Sequence, residues 1–201
     1  KIVPEQFQIS ALRWMKGVRD WCISRQIWWG HRLPVWYHDT CQQLDENSVS
    51  GYFKPAFIIE SLEGLEYPVE CPSCSAKYNN YSEAKEHFSR DEDVLDTWFS
   101  SALWPFATLG WPESRNNADE KSTRIDAEGK TDLEKFYPNS INITDRGIIN
   151  LWEVRMIFSG LELMGKIPFH TIYINPTVFN KEGKRMSKSL GTGIDPLELI
   201  E

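Results

Sequence analysis

No apolar run in this chain reaches the ~20 residues that a membrane-spanning helix requires. No stretch carries the charged, apolar and small-residue order of a secretory signal. Cysteine is scarce, at four residues in 201. With one close pair among them, the cysteines suggest a metal and a reducing, cytoplasmic setting before they suggest disulfides. Positive charge is short too: 22 Lys and Arg against 29 Asp and Glu leave a net charge of −7. That balance argues against a protein that coats nucleic acid, although a local basic loop can still meet phosphates. Internal repeats are missing, and so is an initiating Met. The chain starts at Lys1 and ends in Pro196-Leu197-Glu198-Leu199-Ile200-Glu201, which reads as a helix cut short. The expectation is an excised piece of a longer protein.

What is present is an ordinary globular composition, 41% hydrophobic and 25% charged, enough for one large domain or one domain with an insertion. Nine Trp imply a thick aromatic core or aromatic-lined sites. Apolar Phe7, Leu12, Met15 and Val18 predict an amphipathic helix over 5–21. Residues 38–90 are polar and turn-rich, with strand-like pieces such as 57–59, and read as an inserted module. Residues 93–103 have helical character that ends before Pro105. Residues 112–135 read as a polar surface loop, partly disordered. Residues 140–144 alternate like a strand, 148–164 read as a largely buried helix ended by Gly165 and Pro168, and 171–174 form a second apolar strand. Strand, helix, strand and then a functional loop is the βαβ grammar of an α/β protein with a parallel, doubly wound sheet.

That loop is Lys184-Arg185-Met186-Ser187-Lys188-Ser189, set between Gly183 and Gly191. Three cations and two hydroxyls in a glycine-flanked loop suit phosphate contact, and a solvated basic loop is the plainer alternative. Met186-Ser187-Lys188-Ser189 resembles the second signature of class I aminoacyl-tRNA synthetases, with Arg185 where that family more often has Lys. Two further blocks are similar to the valyl members. One is Arg19-Asp20-Trp21-Cys22-Ile23-Ser24-Arg25-Gln26 with Trp28-Trp29-Gly30-His31. The other runs from Asp93 to Phe106, and the stretch Ile194-Asp195-Pro196 fits as well.

The resemblance implies half of a doubly wound, Rossmann-like catalytic domain. Residues 1–36 would follow an editing domain, 37–92 would be a small zinc-ribbon-like insertion, and 93–201 would carry the signature loop. It implies ATP with Mg2+, valine and tRNA(Val) as substrates. Further N-terminal catalytic, editing and anticodon-binding parts of the chain would be partners. Lys188, Arg185 and Lys184 would be the catalytic cations, with Met186, Ser187 and Ser189 shaping the ATP loop. Trp98 and Trp152 would wall the amino-acid pocket; as bare residues, without the resemblance, they read first as core aromatics.

Two positions depart from the family pattern at the nucleotide. Gly147 stands where an aspartate is expected to bind the ribose, so Asp145 reaches it instead or the contact is lost. Asn175 stands where His is usual, keeping hydrogen bonding without charge. The first signature, His-x-Gly-His, occurs nowhere in the chain.

His38-x-x-Cys41 with Cys71-x-x-Cys74 has the two-residue gaps of a tetrahedral zinc knuckle. The alternatives are a structural zinc and a module that has lost its metal. Cys22 falls outside the group and reads as a buried apolar residue. Arg25, Trp28, Trp29, His31 and Arg32 form a basic-aromatic cluster, read either as a contact for the tRNA end or as core packing. Isoleucyl or leucyl specificity, and a non-catalytic zinc-bearing module, remain the rival readings.

Overall fold

The structure, a computed structural model, describes residues 1–41, 57–58, 61–112, 125–187, 191–195, 197 and 200. They form two compact units, Lys1–Asp20 with Trp98–Glu201, and Trp21–Thr97. The inserted module expected at 37–92 lies within the second.

The first unit opens with strand β1 (Ile2–Val3) and helix α1 (Gln6–Lys16). α1 buries Ala11 and stops short of the predicted residue 21, because Gly17 turns its N–H back to the Trp14 carbonyl.

The second unit holds β2 (Ser24–Arg25), β3 (Val35–His38), β4 (Phe57–Ile58), β5 (Val69–Glu70), β6 (Lys77–Tyr78), α2 (Tyr81–Lys85), β7 (Phe88–Arg90) and β8 (Val94–Leu95). Its pairings are all antiparallel: β4-β3-β7, β2-β8 and β5-β6. A small core of Leu62, Cys71, Tyr78, Ala84 and Phe88 lies between them. Asn80 caps α2 by accepting the Glu83 N–H at 3.0 Å. The helical reading of 93–103 fails at its start. Val94 and Leu95 pair with Arg25 and Ser24, and the Asp96 N–H bonds the Ile23 carbonyl at 2.7 Å. The Asp96 carboxylate, joined by Arg25 and by Trp21 Nε1, anchors that strand end.

Helix α3 (Thr97–Ser101) begins at the last residue of the second unit, and the chain then re-enters the first. α4 (Trp104–Ala107) and α5 (Asp132–Phe136) follow, α5 closed by a Thr131–Glu134 capping box inside the segment expected to be loop. β9 (Asn139–Asp145) leads through a 3-10 turn, Arg146–Ile148, and a π turn, Ile149–Glu153, into α6 (Val154–Met164) and β10 (Phe169–Asn175). Gly165 ends α6 in the left-handed region at φ 68°. The sheet is parallel, in the order β1-β10-β9. Its core is Ala11, Ile149, Val154, Met156, Phe169, Ile172 and Ile174. In β9 the alternation runs against polarity: Asn142 and Thr144 are buried, while Ile141 and Ile143 are exposed. Among the described residues no helix is long and apolar enough to cross a membrane.

Candidate functional site

The parallel register places Asp145, the last residue of β9, directly beside Asn175, the last residue of β10. The carboxyl edge of a parallel sheet is where α/β proteins bind ligands, because the loops there are free to shape a site. The Asp145 carboxylate accepts the Gly147 N–H at 2.6 Å. A Cβ on Gly147 would stand 2.8 Å from that carboxylate oxygen and 3.4 Å from the Arg185 guanidinium. Glycine at 147 thus leaves room for a neighbouring acid and a cation. Arg185 lies 3.8 Å from Asp145 as an open ion pair, so one cation of the signature loop reaches the strand edge.

The loop's entrance is a tight turn. Phe179 bridges to Arg185, and the Asn180 side chain accepts the Lys184 N–H at 2.8 Å. Lys184 is exposed; Met186 and Ser187 are half-buried. Ser187 N–H donates to Thr192 Oγ1 at 2.9 Å, which ties the two sides of the loop together. Lys188 and Ser189 lie outside the described residues. Asp145, Gly147, Asn175 and Arg185 are therefore brought to one edge.

Trp152 sits on the π turn, half-buried. Its Nε1 donates to the Ser101 carbonyl at 3.1 Å, and its ring centroid lies 5.9 Å from that of Trp104. Trp98 is also half-buried, one helical turn before Ala102, whose N–H it accepts at 3.2 Å. The π turn and α3 thus share one neighbourhood. Sequence reading gave Trp104 no role of its own within the 93–106 block.

In the second unit the ligand atoms of His38, Cys41, Cys71 and Cys74 all lie within 4.8 Å of one another. His38 Nδ1 is 3.1 Å from Cys41 Sγ and 3.4 Å from Cys74 Sγ, and the Cys41 and Cys71 sulfurs are 4.0 Å apart. A tetrahedral site with metal–sulfur bonds near 2.3 Å has edges of about 3.8 Å, so three sulfurs and a nitrogen fit zinc. The Nε2 of His38 meets the Tyr78 hydroxyl, and its Nδ1 faces the Cys41 and Cys74 sulfurs with the Thr40 hydroxyl 3.1 Å away. Burial holds the His38 imidazole below its ordinary pKa, in the neutral form a metal needs. Burial, reinforced by the neighbouring sulfurs, pushes the Cys41 thiol up to about 12. Cys74 is drawn below the usual thiol range, first by the Ala76 backbone. Sulfurs this close resist joint ionisation, and a divalent cation relieves that repulsion.

Cys22 contradicts its reading as a buried apolar residue: it is free and exposed, its sulfur 3.3 Å from Ser24 Oγ. In the basic-aromatic cluster, core packing does not describe the indoles, for Trp28 and Trp29 are 98% and 88% exposed. Two of the cations are committed to the fold: Arg25 pairs with Asp96, and Arg32 donates to the Asp91 carbonyl at 2.8 Å.

The family model for tRNA synthetases class I (I, L, M and V) matches residues 1–201. The chain belongs to that family. It is 46% identical over 201 residues to the valine--tRNA ligase of Clostridium tetani and 43% identical over 201 residues to that of Thermotoga maritima. All of the chain is covered in both alignments, and it spans 18% of the length of each relative. Among solved structures it is similar to LeuRS of Agrobacterium radiobacter, determined as a ternary complex with tRNA and LeuAMS. The TM-score is 0.51 at 22% identity, over 97% of this chain and 26% of that one. That likeness bears on the fold alone. In this synthetase chain, then, Asp145, Asn175 and Arg185 share one strand edge, and Trp152 stands on the π turn that follows β9.

Proposed function

We propose that the protein carrying this chain is a valine--tRNA ligase, which joins valine to ATP as valyl-adenylate and passes valine to tRNA(Val). The chain would be half of a doubly wound catalytic domain with a zinc-ribbon-like insertion. The observation that carries this reading is the 46% identity to such a ligase along the whole chain. The strand-edge geometry agrees with it.

Attack of a carboxylate on the α-phosphate asks little covalent chemistry of protein groups, so positioning and charge stabilisation dominate. In this reading Lys188, Arg185 and Lys184 stabilise the charge that moves onto pyrophosphate. Met186, Ser187 and Ser189 shape the loop. Asn175 offers its amide to the nucleotide. Asp145, beside it, holds Arg185 at the strand edge and caps the Gly147 N–H. Mg2+ would accompany ATP and share the triphosphate charge. Trp98 and Trp152 bound a flat apolar slot for a branched aliphatic side chain. His38, Cys41, Cys71 and Cys74 would hold zinc as a structural ion, since four protein ligands leave no open position for substrate. Trp28 and Trp29, both exposed, would stack on a single-stranded tRNA end. The remaining catalytic half, an editing domain and an anticodon-binding domain would be partners within the same polypeptide.

A second reading, a non-catalytic module, is favoured by one observation. Asp145 is occupied with Gly147 and Arg185, while Gly147 itself has no side chain to offer a ribose. Single-turnover adenylate formation by the full-length protein separates the two readings. Lys188→Ala should slow that step by about 100-fold, the scale of losing one preorganised charge partner, with valine affinity little changed. Trp152→Ala should weaken valine binding first. If unmodified protein forms no adenylate, the module reading stands.

A further inference from the structure

Glu153 is 1% exposed, the last residue of the π turn, and both the turn's first residue, Ile149, and the following Val154 belong to the apolar core. Its Oε1 accepts the Asn142 amide at 2.6 Å, tying the turn to β9 across eleven positions of sequence. Its Oε2 is buried and finds no hydrogen-bond partner. Thr144, on the same face of β9, also buries an unpaired hydroxyl. A carboxylate held by one bond in such a place is costly, whereas a neutral acid is tolerable. Burial accordingly pushes its pKa up to about 7, against the opposing Asn142 bond. The elements packed against the turn bring Arg13 and Lys16 on α1, Arg146 on the 3-10 turn, and Arg155 and Glu162 on α6; Asp145 and His170 lie on the adjoining strands. No ion pair among the described residues involves Glu153.

The neighbour of Glu153 is Trp152. A π turn has one residue more than the regular helix would hold and depends on its surroundings to persist. Here the outward support is the Trp152 bond to the Ser101 carbonyl, and the inward support is the Glu153–Asn142 pair. Rolling the turn back into α-helix would break both.

We propose that Glu153 is a positioning residue for the amino-acid pocket, its carboxyl locking the π turn to Asn142 and so aiming Trp152 at Ser101 and Trp104. This rests on the reading of Trp152 as a pocket wall. The test uses the full-length protein labelled with 5-fluorotryptophan, with the Trp152 resonance assigned by its loss in Trp152→Phe. Glu153→Gln keeps the shape, the neutral state and an oxygen for Asn142. It should leave the Trp152 resonance and the valine KM in place. The unmodified protein's Trp152 resonance should move with pH around 7, and in Glu153→Gln it should not. Glu153→Leu should shift the resonance and raise the valine KM about tenfold, with kcat changed less, as expected of a displaced pocket wall. Asn142→Leu with Glu153→Leu supplies an apolar pair if the single variant folds poorly, and should show the same displacement. A Trp152 resonance unmoved in the Leu variants would overturn the proposal. So would Glu153→Gln behaving like Glu153→Leu. If the protein activates no valine, the pocket reading fails, while the resonance still decides whether Glu153 positions Trp152.

Discussion

Glu153 and Gly147 show how single residues depart from what their letters suggest. Residues 148–164 read as a largely buried helix, and within that segment a π turn sets Glu153 in the core. No sequence periodicity reveals one extra residue in a helix. Gly147 was legible as a departure, but the reason for it, the approach of the Asp145 carboxylate and the Arg185 guanidinium, needs three dimensions. Cys22 was misread because thiols are usually buried; here it stands beside Ser24 in a short polar stretch. Glu153 also carries a stability consequence. Its folded-state pKa, about 7, lies above the ordinary 4.5. The folded state therefore holds the proton more tightly. Glu153's contribution is fully present below about pH 4.5 and is lost as the pH rises through about 7. Thermal unfolding of Glu153→Gln should lack that part of the decline between these limits. A curve with the unmodified protein's slope over this range would show that Glu153 does not titrate there.

At the scale of elements, the strands β9 and β10 were legible because alternation and β-branched residues mark them. Which face of β9 turned inward was not, since Asn142 and Thr144 occupy the buried side and the isoleucines the exposed one. The start of the 93–103 segment was misread because a strand of two residues carries no periodicity. β8 exists through its pairing with β2 and the Asp96 anchor. The cysteine-histidine cluster was legible from spacing alone, as two short gaps constrain two ligand pairs. Its second layer, the Tyr78 hydroxyl on His38, was not. Zinc content measured by elemental analysis, after purification without chelator, should approach one equivalent. Cys74→Ser should reduce it and loosen the insertion, because binding and folding are coupled in modules this small. Less than about 0.2 equivalents, with thermal stability unchanged by chelator, would count against a bound ion, given the ~10 kcal/mol or more that structural zinc usually contributes.

For the whole molecule, the signature loop and the two upstream blocks pointed to a class I synthetase, and the match along residues 1–201 places the chain in that family. The parallel sheet then explains why residues far apart in sequence gather at one edge: Asp145 and Asn175 are register partners, and Arg185 arrives from the loop after β10. The central claim is that this edge and the turn of Trp152 serve valine activation. The most direct measurement is amino-acid-dependent ATP–pyrophosphate exchange by the full-length protein. Valine should support exchange, and isoleucine, one methylene larger, should do so with kcat/KM lower by about 10- to 200-fold, the range a rigid apolar pocket can enforce. No exchange with valine, or exchange equally fast with isoleucine or leucine, would contradict the account.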